Sequence, residues 1–520
     1  MAARQRVCII GLDAADEWLV GRWCREGVLP TLDRLRRTGT WIPLRHAEAN
    51  PSGSVWPTVY TGTHPGHHGI VHPVGLVPRT LTLQSVVPEA CPEAPVWSLL
   101  SKAGLRSIVV DVPFAPLSQD PDGLHIVDWA AYERPRPARS WPAGALADVI
   151  SNAGPYPLPR DLSRNPPATE GERWRDHTQL LAGVEVKGTA LRWLARQRPW
   201  DLFMAIFTEA HAVGHHFWDR DRDLDPRVPR QRRVPATPVR DVYQAIDREL
   251  AKFLDALDLT TTMLIVISGH GMDRNVSGWH LIEPFLRSRG LLVAPPRHRS
   301  GSLAGRLRRA CPAWIRRSVS RRLPHAVRTS ISQYWLLGGI DRRRTRAFAL
   351  PSDQLGFIRI NLAGREPEGP VRSDGEYEEL CGVIAGSLRR LVDADTGRPV
   401  VRDVFHTDET FPGPERHRLP DLLVSWNDEA PIGAVRSEGG PLIMERFPDP
   451  RSGNHRPDGF AIVCGAGLPR GRAAAGSLLD VAPTVLGSFG LDPTASMQGR
   501  SWLPASRAAL ATSAGRTSEA

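Results

Sequence analysis

Short apolar runs of five to seven residues recur along this chain and alternate with longer stretches that carry a helical pattern. Such runs are typical of strands buried on both faces of a parallel sheet, and the longer stretches are typical of covering helices. The predicted strands cover residues 7–12, 107–112, 201–207, 263–268, 421–426 and 460–464. The predicted helices cover residues 18–27, 31–38, 96–103, 186–197 and 239–257. This alternation predicts an α/β fold with a mostly parallel central sheet sandwiched between helices.

Two segments interrupt the alternation. Residues 114–185 are rich in proline and arginine and are predicted to be irregular, and residues 286–345 are predicted to form a basic, helical insertion. Either segment could cap a cleft. At 520 residues the chain is long enough for one large α/β domain, which we expect to span residues 1–505. Residues 506–520 lack a coherent apolar face and are expected to be disordered.

The charge balance is basic, because 66 lysines and arginines outnumber 56 acidic residues and give a net charge of +10. A basic surface favours anionic partners. Part of the excess is arginine between residues 297 and 345, without the aromatic interleaving that is typical of nucleic-acid grooves. The pattern therefore favours a solvated arginine-rich face over nucleic-acid binding.

The cysteines and the apolar runs bear on the compartment. The six cysteines have no C-x-x-C spacing, so they are predicted to be reduced core thiols rather than a disulfide framework or a zinc knuckle. The first apolar run is too short for the hydrophobic region of a signal peptide, and no run reaches the length of a membrane span. The sequence therefore predicts a soluble, cytoplasmic protein without a membrane span.

Polar residues lie close to the ends of the predicted strands. Asp13 follows the first strand, His211 and His270 follow two later strands, and His455 precedes the last one. Taken singly, Asp13 could be the N-cap of the next helix, and each histidine could be an ordinary loop residue. In open α/β sheets, however, ligands bind at the carboxyl ends of the strands. Asp13, His211 and His270 therefore predict a functional site at that edge, and His455 adds another polar group near a strand end.

A pair of histidines has the spacing of metal ligands. His211 and His215 are four residues apart, which places both imidazoles on one face of a helix. Histidines at this spacing are common zinc ligands. The alternative is a pair of surface or capping histidines.

A metal ion at this edge could activate a hydroxyl nucleophile. Ser52 and Ser54 both lie in the stretch of residues 50–70, which is rich in glycine and proline. On the residues alone, either serine could instead be a turn residue. We interpret His68, in the same stretch, as structural.

Several motifs occur in the order found in the alkaline phosphatase superfamily, and the chain resembles its type I phosphodiesterase/nucleotide pyrophosphatase branch. The resemblance covers most of residues 5–500 and implies the alkaline phosphatase-like fold. Three motifs are Thr-Gly-x-x-Pro-x-x-His-Gly-Ile at 61–70, Phe-Thr-Glu-x-His at 207–211 and Ser-Gly-His-Gly-Met at 268–272. Further similar stretches lie at residues 28–32, 345–369, 455–459 and 477–491.

The resemblance implies a nucleophile and a metal site. In the family, the nucleophilic threonine or serine lies nine positions before the Thr-Gly motif, and Ser52 rather than Ser54 holds that position. The family site holds two zinc ions. The implied ligands of one ion are Asp13, Ser52, His270 and an acid just before this histidine, and those of the other are His215, His455 and the residue at position 211.

The chain departs from the family at two of these ligands. His211 stands where the family has an aspartate, and Gly269 stands where it has the acid before His270. A histidine can still bind zinc, whereas glycine offers no side chain. The metal beside Ser52 should therefore bind more weakly or recruit a nearby acid, for which Asp16 and Asp273 are the candidates.

We therefore expect the ion held by three histidines to be the firmer one. These ligands are His211, His215 and His455. Three imidazoles with an open fourth position are a common arrangement of catalytic zinc. One or two zinc ions are expected, with manganese or another divalent ion as an alternative.

The expected activity is metal-dependent hydrolysis of a phosphodiester or pyrophosphate bond with Ser52 as the nucleophile. The expected substrate is a phosphorylated small molecule or a nucleotide-type compound. One alternative is a phosphomonoesterase or phosphotransferase on the same fold, because a fold does not fix a function. The other is a degenerate protein that binds a phosphorylated metabolite without cleaving it.

Overall fold

The computed structural model describes residues 5–504 apart from residues 46–48, 121, 133, 135, 159–160, 164–165, 222–223, 225–236, 296–339, 428, 438–439 and 466. Most of the predicted basic insertion and the predicted disordered tail therefore lie outside the described residues. The chain divides into two compact units. The sheet unit comprises Met1–His68, Val87–Asn275 and Pro450–Ala520, and the antiparallel unit comprises Gly69–Val86 and Val276–Asp449. A single domain over residues 1–505 stays a prediction.

A nine-stranded sheet forms the centre of the sheet unit. The strands of this unit are β1 (Arg6–Leu12), β2 (Thr40–Leu44), β3 (Ser107–Val110), β4 (Leu124–Val127), β5 (Arg139–Trp141), β6 (Leu202–Phe207), β7 (Thr262–Ser268), β8 (Gly271–Arg274), β9 (Gly453–Arg456), β10 (Gly459–Cys464) and β11 (Gly471–Arg472). The order across the sheet is β11-β2-β10-β7-β1-β6-β3-β4-β5. Five neighbouring strands run parallel, namely β7, β1, β6, β3 and β4. Strands β8 and β9 form a separate antiparallel pair. The predicted α/β class with a mostly parallel sheet is confirmed.

Helices cover both faces of this sheet. They are α1 (Glu17–Arg25), α2 (Pro30–Thr38), α3 (Val55–Thr61), α4 (Pro65–His68), α5 (Val96–Lys102), α6 (Ala145–Ala153), α7 (Glu170–Gln197), α8 (Glu209–Phe217), α9 (Pro238–Leu254) and α10 (Val481–Ser488). Because successive side chains of a strand point to opposite faces, β1 contributes to two cores. Cys8, Ile10 and Leu12 pack with α1, α2, α7 and α9, whereas Val7 and Ile9 pack with α3, α5 and α10.

The run at residues 460–464 forms β10, but this strand is antiparallel to both of its neighbours, which corrects the predicted parallel direction. Phe460 pairs with Ser268, so β10 begins at the edge of the sheet where β7 ends. Strand β9 pairs with β8, which follows β7 at this edge, and the two residues between β9 and β10 are too few to carry the chain to the opposite edge. A run that is buried on both faces has the same composition in either direction, so its sequence does not reveal this.

The prediction that residues 114–185 are irregular is wrong for much of the segment, which contains β4, β5, α6 and the first turns of α7. Helix α7 begins at Glu170 rather than near residue 186. Its early turns bury polar side chains, including Asp176 and His177. Because these interrupt the apolar period, the sequence pattern indicated only the second half of the helix.

The antiparallel unit has a different architecture. Its four-stranded antiparallel sheet has the order Ala347–Leu350, Gly356–Ile360, Leu422–Trp426, Val401–His406. Shorter strands lie at Val74–Leu76, Leu83–Ser85, Val392–Asp393, Ala434–Arg436 and Ile443–Met444, and helices at Ile282–Ser288, Glu376–Arg389 and Thr407–Thr410. The strand predicted at 421–426 therefore exists, but its predicted place in the parallel sheet is wrong. Its partners are strands of a separate sheet, and pairing partners are not encoded in an apolar run.

Among the helices of the described residues, none is both long and apolar enough to cross a membrane.

Candidate metal centre and its surroundings

Asp13 lies in a tight turn directly after β1. Its backbone N–H donates to the carbonyl of Phe207 at the end of β6, which ties the turn to the neighbouring strand at 3.0 Å. Ala14 has a φ of 56°, a left-handed conformation that costs free energy for a residue with a side chain. The helix N-cap is Asp16 and not Asp13, because the carboxylate of Asp16 accepts from the Leu19 N–H at 2.9 Å. The side chain of Asp13 is therefore available for another role.

Both carboxylate oxygens of Asp13 accept hydrogen bonds. Trp56 Nε1 donates to Oδ1 at 2.8 Å, and His211 Nδ1 lies 2.6 Å from Oδ2. Trp56 reaches Asp13 across β1 at Gly11, where a Cβ would lie 2.4 Å from the indole ring. Burial alone would raise the pKa of Asp13, but the charges and hydrogen bonds of its partners, led by His211, hold this pKa below its ordinary value. Asp13 is therefore a buried carboxylate that orients His211.

Helix α8 presents His211 and His215, and it is buried along its whole length. Its approach to β9 is close, since a Cβ on Gly453 would lie 2.2 Å from the Gly214 carbonyl oxygen. This contact brings the strand that carries His455 against the helix. The predicted helical spacing of His211 and His215 is therefore present in the structure.

A buried ion cluster anchors the start of α8. Lys187 Nζ lies 3.3 Å from Glu209 Oε1 and 3.6 Å from Asp111 Oδ2, and it donates to the Ile206 carbonyl at 2.9 Å. All three charged side chains are fully buried. A buried cation between carboxylates compensates charges that would otherwise be costly to bury. The cluster therefore fixes the start of α8 relative to β6.

The hydrogen bonds of His211 and His215 determine which nitrogen of each ring carries the proton. His211 Nδ1 faces the Asp13 carboxylate, and His215 Nδ1 lies 2.8 Å from the Gly453 carbonyl oxygen. Since neither partner has a hydrogen to give, both Nδ1 atoms are protonated. The two Nε2 atoms lie 2.9 Å apart. Two imidazole nitrogens at this distance share either a proton or a metal cation, and each Nε2 is placed to be a metal ligand.

His455 completes the cluster. One ligand atom from each of His211, His215 and His455 lies within 4.8 Å of the others. The His455 ring lies 4.7 Å from each of the other two, measured between centroids, and its buried Nδ1 has no hydrogen-bond partner among the described residues. The chemistry of this donor set fits a zinc ion.

Two of the three imidazoles are held in the neutral form that binds metals. Burial, reinforced by the charges of Arg451 and His211, lowers the pKa of His215 well below its ordinary value. Burial and the neighbouring histidines, led by His270, do the same for His455. A histidine must be neutral to coordinate a metal ion.

The second ligand set implied by the resemblance does not assemble in the same way. A Cβ at Gly269 would lie 2.3 Å from Val55 Cγ1 and 3.2 Å from Leu478 Cδ2, so apolar side chains fill the place where an acid would stand. His270 is buried, and its ring packs 4.4 Å from that of His455 at an angle of 33°. The residues that would hold a second metal ion therefore fit an ion less well than the three-histidine set does.

Neither acid proposed as a replacement ligand is free of other bonds. Asp16 caps α1 through Leu19. Asp273 forms an ion pair with Arg456 across the β8–β9 pair. Both carboxylates are thus engaged within their own local structure.

The two candidate serines differ in their surroundings. Both lie in the short 3-10 turn Ser52–Ser54 that leads into α3, the helix whose Trp56 contacts Asp13. The Ser54 hydroxyl is fully buried and donates to the Pro51 carbonyl at 2.6 Å. Ser52 is partly exposed. This difference favours Ser52 as the nucleophile, in agreement with the motif spacing. His68 is buried, with a ring nitrogen 3.1 Å from the Thr58 hydroxyl, as a structural residue would be.

Sequence reasoning missed three residues that surround the cluster. Trp56 bonds Asp13, Tyr132 stacks on His211 with ring centroids 4.3 Å apart, and Arg451 Nη1 lies 3.4 Å from His215 Nε2. Trp56 stands inside the serine-bearing stretch and Arg451 four residues before His455, so proximity in sequence was the available signal. Tyr132 lies in the segment predicted to be irregular and gave none.

The closed space at Gly269 leads to a stability prediction. Gly269→Ala is expected to lower the free energy of unfolding by about 1–3 kcal/mol, because its methyl group would overlap Val55. Denaturant unfolding of Gly269→Ala, Val55→Ala and the double variant would measure the coupling between the sites. Val55→Ala removes the overlapping methyl, so alanine at 269 should cost less in that background. Equal costs in both backgrounds would contradict the closure by Val55.

A family model and solved structures match this chain. The family model for type I phosphodiesterase / nucleotide pyrophosphatase matches residues 7–430. Phosphonoacetate hydrolase from Sinorhizobium meliloti 1021, in complex with phosphonoformate, superposes with a TM-score of 0.50 at 13% identity over 92% of this chain and 94% of that chain. Murine ectonucleotide pyrophosphatase / phosphodiesterase 5 has a TM-score of 0.48 at 13% identity, over 94% of this chain and 96% of that chain. No curated protein sequence gives a significant match. At such identity the likeness to the hydrolase concerns the fold alone.

Proposed function

Because the chain belongs to the type I phosphodiesterase/nucleotide pyrophosphatase family of the alkaline phosphatase superfamily, we propose that it is a metal-dependent hydrolase of phosphodiester or pyrophosphate bonds. The proposed substrate is a phosphorylated small molecule or a nucleotide-type compound. A cytoplasmic location is a further part of the proposal.

The observation that carries the proposal is the convergence of His211 Nε2 and His215 Nε2 at 2.9 Å while both Nδ1 atoms face acceptors. We propose that these two nitrogens and His455 hold a divalent cation, with zinc as the best fit to three imidazoles. When bound, the cation supplies positive charge for phosphoryl oxygens that gain negative charge in the transition state. Asp13 keeps His211 in the tautomer whose Nε2 is a ligand.

Ser52 is the proposed nucleophile. Its Oγ forms a bond to phosphorus as the bond between phosphorus and the leaving oxygen breaks, and the serine proton passes to solvent while the leaving oxygen takes one up. Water then cleaves the phosphoserine and restores the hydroxyl. Ser54 does not compete, because its buried hydroxyl already donates to Pro51.

Arg451 is the proposed anion-binding side chain. Its guanidinium lies beside His215 at the rim of the cluster, and its charge contributes to keeping that imidazole neutral. A guanidinium binds phosphoryl oxygens through charge-assisted hydrogen bonds and is never deprotonated. The residue therefore suits the binding of a substrate phosphate beside the three-histidine cluster.

An assay with two synthetic substrates tests the proposal. The purified chain should hydrolyse bis-(p-nitrophenyl) phosphate with a kcat/KM at least about tenfold above that for p-nitrophenyl phosphate, equivalent to about 1.4 kcal/mol of transition-state preference. Activity should fall to background after a chelator and return with added Zn²⁺ or Mn²⁺.

Other outcomes of this assay would support the alternatives. A preference for the monoester would favour a phosphomonoesterase or phosphotransferase. Binding of inorganic phosphate without turnover of either ester would favour a degenerate binding protein. Full activity in the presence of the chelator would contradict metal dependence.

A further inference from the structure

We propose that this chain binds one divalent cation rather than two, and that Asp13 positions His211 instead of binding a second ion. The inference rests on the proposed metal site at His211, His215 and His455. It departs from the two-ion arrangement that the resemblance implies, and it follows from what surrounds Asp13, Gly269 and His270.

Asp13 is the first residue that distinguishes a one-ion site from a two-ion site. Its Oδ2 lies 2.6 Å from His211 Nδ1, and its Oδ1 accepts from Trp56 Nε1 at 2.8 Å. A carboxylate that accepts from the distal nitrogen of a metal-binding histidine fixes the ring and raises the basicity of the ligating nitrogen. In this chain His211 replaces the family aspartate, so Asp13 gains a histidine to orient.

Gly269 is the second residue that distinguishes a one-ion site from a two-ion site. Glycine removes one ligand of the implied second ion, and Val55 and Leu478 occupy the space that its side chain would need. The replacement is therefore accompanied by apolar packing. Apolar side chains disfavour a dication, because they supply no ligand atom and lower the local dielectric constant.

The packing of His270 and the local charge also disfavour a second ion. The His270 ring packs against His455, with centroids 4.4 Å apart. Beside the cluster, Arg451 already adds one positive charge close to His215. Asp16 and Asp273 are engaged by Leu19 and Arg456, so nearby acids are committed elsewhere. A second dication would lack the negative charge that its own binding requires.

Zinc stoichiometry of the full-length protein tests the inference. Elemental analysis after dialysis, together with titration calorimetry of the metal-free protein with Zn²⁺, should give one equivalent per chain. His455→Ala should weaken this site by roughly 10²-fold or more, so that zinc is lost on dialysis, and His270→Ala should leave the stoichiometry at one. Two equivalents in the wild type, falling to one in His270→Ala, would overturn the inference.

Asp13→Asn tests the positioning role. The stoichiometry should stay at one, while the zinc affinity falls about 10- to 100-fold, the usual effect of removing such an outer partner. Asp16→Asn is the matched control, since it removes a neighbouring, partly buried carboxylate that caps α1, and it should leave the affinity within about threefold. Loss of a whole zinc equivalent from a two-zinc wild type on Asp13→Asn would show that Asp13 is a direct ligand of a second ion. Circular dichroism would show that each variant is folded.

Failure of this inference differs from failure of the proposed function. Two zinc ions per chain with chelator-sensitive activity would overturn only the single-ion inference. A wild type that binds no zinc or manganese and hydrolyses diesters in the presence of a chelator would overturn both.

Discussion

Ser52→Ala is expected to lower kcat for a diester substrate by at least about 10³-fold, since removal of a covalent nucleophile has cost another hydrolase about 10⁶-fold. The variant should fold normally, because Ser52 is partly exposed in the turn before α3. Its zinc content should match that of the wild type, because the three-histidine set does not include Ser52. The measurements are steady-state kinetics, zinc analysis and thermal unfolding on the same preparations.

Ser54→Ala is the matched control for this prediction. It removes a buried hydroxyl that donates to Pro51 and should cost about 1 kcal/mol of stability. Its kcat should stay within about threefold of the wild type, a change of less than 1 kcal/mol in the barrier. Full activity of Ser52→Ala together with loss in Ser54→Ala would show that the motif register is wrong. Full activity of both variants would indicate direct attack by water.

His215→Ala is expected to weaken zinc binding by roughly 10²-fold or more, because it removes one of three imidazole ligands and metal-site free energies amount to roughly 3 kcal/mol per ligand. Hydrolysis at sub-micromolar free zinc should fall in parallel. Part of the activity should return when zinc is raised. Titration with a chromophoric chelator measures the affinity.

His216→Ala is the matched control for His215→Ala. Both histidines are buried neighbours on α8, but His216 Nε2 lies 3.2 Å from the Tyr132 hydroxyl and is outside the three-histidine cluster. Its removal should lower stability and leave zinc affinity within about threefold. Equal losses of affinity in the two variants would contradict the assignment of His215 as a ligand and indicate general damage to α8.

Much of the local structure was predictable because it depends on local patterns. The apolar runs that became β1, β3, β6 and β7 were placed to within two residues at each end. The four-residue spacing of His211 and His215 on a helix was equally readable. Helix α7 was half missed because polar residues interrupt the apolar period of its early turns, and the burial of these residues depends on their packing partners.

The substitutions at the site were visible in the sequence, but their consequences were not. The sequence shows that position 269 has no side chain, yet only the fold shows that Val55 and Leu478 occupy the space. Asp16 and Asp273 had the composition of replacement ligands, and their partners Leu19 and Arg456 could not be named from spacing.

The sequence by itself determined the α/β class, the carboxyl-edge location of Asp13, His211 and His270 and the family, because periodicity, strand-end positions and ordered motifs are local properties. Only the tertiary structure decided that β10 runs antiparallel, that Asp13 pairs with His211, and that Arg451 lies beside His215. These contacts join segments that are far apart in the chain. Their free energies depend on which surfaces meet in the fold, and a single sequence read along its length does not contain that information.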